Sequence, residues 1–73
     1  YDEAAALCHE ALELAPDYAE VWYALGIDLA KMGAYDEALA AYERAKSLEF
    51  TSGGLEHNIA VCRRSIAARR GRR

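Results

Sequence analysis

The stretch DYAEVWYALGIDLAKMGAYDEALAAYERAKSLEF, residues 17–50, decides the fold. Its apolar residues recur at three- and four-residue steps in two runs divided at Gly33, the pattern of two amphipathic helices folded back on each other. The register continues on both sides. A shift of 34 residues lays Tyr1-Asp2-Glu3-Ala4 on Tyr35-Asp36-Glu37-Ala38, Ala6 on Ala40, Ala11 on Ala45 and Leu14 on Leu48. A period of that length predicts a repeat array, here an all-α antiparallel helix-hairpin solenoid of about four helices.

Within the stretch, the first helix is expected over 18–32, with Trp22, Leu25, Leu29 and Met32 as its buried stripe. Asp17 is positioned as its N-cap, and Glu20 completes a capping box. Gly26 removes a side chain where a neighbouring helix must come close, and Gly33 supplies the left-handed residue that ends the helix. A second helix is expected over 35–48, with Ala38, Leu39, Tyr42, Ala45 and Leu48 turned inward.

Working outward, residues 2–15 form a helix on Ala4, Leu7, Cys8, Ala11, Leu12 and Ala15, with Asp2 and Glu3 complementing its dipole. Pro16 ends it. Downstream, Phe50 to Gly54 break the chain, and Ser52 is the expected N-cap of a last helix at about 54–69. That helix carries a narrow stripe of Leu55, Ile59, Cys62 and Ile66. Glu56 stands where Trp22 stood, Arg63 where Leu29 stood and Ala67 where Gly33 stood. A helix that has lost one apolar face in this way suits the end of an array, packing on one side and meeting water on the other.

The 73 residues suffice for one small domain, 53% hydrophobic with one Pro and five Gly. No run approaches the ~18 apolar residues of a membrane span. No secretory signal is visible. The chain starts without Met and inside a repeat, so a piece of a longer protein is expected. Its compartment stays open, with a cytoplasmic setting preferred. The net charge of −3 hides a split: twelve acids against three bases give −9 over residues 1–56, and six arginines give +6 over residues 57–73.

These residues resemble the tetratricopeptide repeat family. Its pattern is met by Trp22, Leu25, Gly26, Gly33, Tyr35, Ala38, Tyr42 and Ala45, with Leu29 in the usual Tyr place and Phe50 where Pro is common. The resemblance divides the chain into the second helix of a partial repeat (1–16), a complete repeat (17–50), a capping helix (51–70) and a basic tail (71–73). It implies a non-catalytic module that binds a protein or peptide in the groove lined by the first helix of each repeat. Chaperone-binding members share a carboxylate clamp; Asn58 matches its middle Asn, but Tyr23 and Ile27 replace its Lys and first Asn, so the clamp is absent from this segment.

The groove side of residues 18–32 is expected to carry Glu20, Tyr23, Ile27, Ala30 and Lys31. The 34-residue shift adds Gly54, His57, Val61, Arg64 and Ser65, with Asn58 beside them. Enzyme chemistry is disfavoured. Cys8 and Cys62 fall on packing positions, His57 and Cys62 are five apart and diverge on a helix, and Gly53-Gly54 lacks the lysine of a phosphate loop. No cofactor or metal is expected. Two other readings stand beside groove binding: self-assembly through the uncovered face of the first helix, and contact of the Arg-rich end with an acidic surface, RNA or anionic lipid. No aromatic interleaves the arginines, so stacking on nucleic-acid bases is disfavoured.

Overall fold

The structure, a computed structural model, describes residues 2–71. Four helices follow one another: α1 (Asp2–Leu14), α2 (Ala19–Lys31), α3 (Tyr35–Ser47) and α4 (Gly53–Gly71). Each packs on its neighbour in sequence, and α2 also touches α4. The result measures 41 × 25 × 15 Å, the shape of stacked helix pairs.

The α2–α3 hairpin is the tightest part. Ala38, Ala41 and Ala45 are buried and let α3 lie close against its neighbours. A Cβ built on Gly26 would stand 2.5 Å from a ring carbon of Tyr42, so glycine is what admits the Tyr42 ring. Tyr42 and Leu25 are each 2% exposed and anchor the core with Leu29, Leu55, Ile59 and Cys62.

The two inner turns close alike with different residues. After α2, Gly33 N–H donates to Ala30 O and Ala34 N–H to Leu29 O, the paired bonds of a Schellman ending around the positive φ of Gly33, +83°. After α3, Glu49 N–H donates to Lys46 O and Phe50 N–H to Ala45 O. There Glu49 takes φ 65° without being glycine. Before α4, Ser52 Oγ accepts from Gly54 N–H at 3.3 Å, the expected cap.

Several expectations need correction. Asp17 does not cap α2: Tyr18 holds the N-cap position with no side-chain bond, and the Asp17 carboxylate instead faces Arg44 at 3.4 Å. Met32 lies past the end of α2 and is exposed, and Leu7 is 65% exposed rather than packed. Ala5 and Ala41 are buried without having been expected. Gly71 belongs to α4 rather than to the tail, whose Arg72 and Arg73 lie outside the described residues, as does Tyr1.

Candidate functional site

The candidate residues lie on α2 and α4, the two helices that the 34-residue shift superposes. Tyr23, Ile27, Asn58 and Val61 are half-buried; Glu20, Lys31, His57 and Arg64 are exposed. A hydrogen bond joins the two helices on this side: Asn58 Nδ2 donates to the Tyr23 hydroxyl at 3.2 Å. Gly54 permits the approach, since a Cβ there would stand 2.6 Å from the same hydroxyl. The Tyr23 ring lies 5.1 Å from Phe50 and 5.8 Å from Tyr42 in tilted arrangements, geometries that aromatic pairs favour.

Tyr23 is therefore a strut as well as a surface. Its ring is taken up by Phe50 and Tyr42, and its hydroxyl by Asn58. Ile27 and Val61 remain as the half-buried apolar side chains of this side, with Ala30 and Ser65 also half-buried. Among the described residues, Glu20, His57 and Arg64 hold no hydrogen bond or ion pair, so their polar groups meet solvent.

The basic end divides by position. Arg63 pairs with Glu43 at 3.2 Å. Arg69 donates to Gly33 O at 3.0 Å and lies over the Tyr35 ring at 5.6 Å. Both tie α4 to the hairpin. Arg69 also satisfies a carbonyl at the end of α2, where a cation complements the helix dipole.

Both cysteines are free thiols. Burial pushes the Cys62 thiol above its ordinary pKa, and burial with the Asp28 carboxylate does the same for Cys8. Raised thiol pKa values lower the thiolate fraction on which nucleophilicity depends. Burial first, then Cys62, Tyr23 and Asp28, raise Tyr42 to about 12. Among the described residues, no three His, Cys, Asp or Glu side chains are grouped to hold a metal ion. Nor, among the described residues, is any helix long and apolar enough to cross a membrane.

A cleft of about 390 Å³ lies where α1, α2 and α3 meet, lined by Trp22, Leu25 and Leu29 together with His9, Glu37 and Arg44. Trp22, expected in the buried stripe, is only half-buried. Its indole N–H instead reaches the Pro16 carbonyl at 2.8 Å, with the Arg44 guanidinium 6.0 Å from the ring centre.

Among known proteins, a family model described as tetratricopeptide repeat matches residues 19–51. No curated protein and no solved structure matches the chain.

Proposed function

We propose, from the premise that this chain carries a tetratricopeptide repeat at residues 19–51, that it binds a peptide segment of a partner protein along the α2–α4 side without catalysing a reaction. Repeats of this family generally mediate protein–protein interactions. The observation that carries the reading is the Asn58–Tyr23 hydrogen bond at 3.2 Å. It braces two equivalent helices side by side, with Ile27 and Val61 half-buried between more polar neighbours. A braced surface binds at lower entropic cost than one that must order first.

Ile27 and Val61 supply apolar contact. His57 and Arg64 flank Val61 at helical spacing on α4, and Arg64 suits a carboxylate of the incoming segment. The peptide that fits is one with an apolar side chain followed by an acidic one. Glu20 and Lys31 set the two ends of the α2 side.

The test begins with a random-peptide phage library selected on the immobilised chain, followed by titration of one selected synthetic peptide. Ile27→Asp and Val61→Asp should each weaken that peptide by at least about tenfold, near 1.4 kcal/mol. Leu14→Asp, on the far end of α1, should leave it unchanged. Equal binding to all four proteins would contradict the proposal. Tyr23→Ala is a poor probe, because it also removes the ring from Phe50 and Tyr42.

A further inference from the structure

We infer that the cleft between α1, α2 and α3 binds a small linear zwitterion, an apolar chain with a carboxylate at one end and an ammonium group about 10 Å away. The inference is independent of the peptide-binding reading, which uses other residues of α2 and none of α1 or α3.

All the walls of the cleft come from three helices of the described chain. Leu25, Leu29 and Ala41 are buried and form its floor. Trp22 is half-buried and Ala40 exposed beside them. Among the described residues, no Cα of α1 comes within 8 Å of one in α3, so these two helices stand apart over α2. The stripe of α1 that carries His9 shows the consequence. Ala5 and Leu12 are buried, whereas His9 between them, at steps of four and three, is exposed and lines the cleft. Alanine at 40 and 41 keeps the opposite wall low. A volume of about 390 Å³ falls within the ~300–1,000 Å³ of small-molecule sites, which are mostly apolar clefts with a few placed polar groups.

Those polar groups are sorted along the cleft. Helices α2 and α3 run antiparallel, so Trp22 and Arg44 share one end while Leu29 and Glu37 share the other. The Arg44 guanidinium lies 6.0 Å from the centre of the Trp22 ring. Seven residues of helix separate Glu37 from Arg44, a rise of about 10 Å. A cation thus marks one end and an anion the other, with apolar side chains between them.

Both charges are open to a ligand. Among the described residues, Glu37 holds no hydrogen bond or ion pair. Arg44 meets Asp17 through one guanidinium nitrogen at 3.4 Å, and both side chains are exposed. Such a pair is weak, and the other N–H groups of a guanidinium can serve a second carboxylate. A ligand with one charge leaves one end unmatched, and a ligand with two like charges is repelled at one end. A short zwitterion cannot reach both.

Trp22 is the one tryptophan of the sequence and lines the cleft, so its emission reports what enters. The probe is ω-aminooctanoic acid, whose extended charges stand about 10 Å apart. Titrated into the full chain, it should change the emission of Trp22 saturably. Octanoic acid and octylamine should each bind about threefold more weakly, the loss of one exposed ion pair. The shorter γ-aminobutyric acid should not bind. Glu37→Gln should weaken ω-aminooctanoic acid about threefold and leave octanoic acid unchanged, and Arg44→Gln should weaken it as much and leave octylamine unchanged. Asp17→Asn should tighten both acids by removing the competing carboxylate. Ala40→Phe, at an exposed position, should abolish binding while circular dichroism keeps its helical signal. The inference is overturned if ω-aminooctanoic acid gives no saturable change at millimolar concentration, if octanoic acid binds as tightly, or if Glu37→Gln weakens both acids alike.

Discussion

The α2–α3 hairpin and the two flanking helices share a 34-residue register but solve the same packing problem oppositely. In the hairpin, each large group has a matched absence opposite it: Tyr42 over Gly26, Trp22 beside Ala41. In the flanks the matching residues are present but face solvent. Leu7 and Leu14 are uncovered on α1, and Ala60 and Arg63 on α4. A shared register therefore does not mean shared burial. What differs is whether, among the described residues, a second helix lies against that face.

The largest expected effects break this comparison at its centre. Tyr42→Ala removes a ring that is 2% exposed and should cost about 3–5 kcal/mol in urea denaturation, most of the stability of a domain this size. Cys8→Ala, at the equivalent position of α1, should cost no more than about 1 kcal/mol, because one half of its surroundings is open. Comparable losses at both sites would mean that the flank is as tightly packed as the hairpin.

Next in size is the glycine. Gly26→Val should destabilise by about 1–3 kcal/mol by forcing Tyr42 to move, whereas Ala60→Val on α4 should stay within about 0.5 kcal/mol. A tolerated valine at 26 would show that the Tyr42 ring can shift without loss.

The two inner turns give smaller effects of opposite sign. Gly33→Ala should cost about 1 kcal/mol, since its φ of +83° is poorly tolerated by any Cβ. Glu49→Gly should stabilise by up to about 1 kcal/mol, because Glu49 already adopts φ 65°. Thermal melts of the two variants should move in opposite directions.

Proton linkage sharpens the same contrast. Tyr42 has its folded pKa raised to about 12, above the unperturbed tyrosine value near 10. Stability from its burial is complete below about pH 10 and is lost as pH rises through about 12. Tyr42→Phe should therefore flatten the fall in helicity over that range. The thiols extend the comparison: buried Cys62 should react with iodoacetamide more slowly than half-buried Cys8, and both more slowly than in urea.

Much of this organisation was legible in sequence because it depends on local chemistry repeated at a fixed period. Gly26, Gly33, Ser52 and the Leu55–Ile59–Cys62 stripe were all readable for that reason. What escaped depends on partners distant in the chain. Asp17 has the right spacing for a cap, yet Arg44, 27 residues away, takes its carboxylate. Periodicity in α1 cannot say which of two apolar stripes is covered, so Leu7 read as packed and Ala5 did not. Glu49 offered no glycine to mark its left-handed turn. At the candidate site, Tyr23 reads as a free groove residue because its strut role needs Phe50 and Asn58, which the helical period does not relate to it.

We propose the α2–α4 side as the binding surface. Its most direct test is amide chemical-shift mapping of the labelled chain with a synthetic peptide selected on it. Shifts should concentrate at Ile27, His57, Val61 and Arg64, with α1 and the outward side of α3 quiet. Shifts clustered instead around Trp22, Glu37 and Arg44, in the cleft lined by α1, α2 and α3, would contradict this reading.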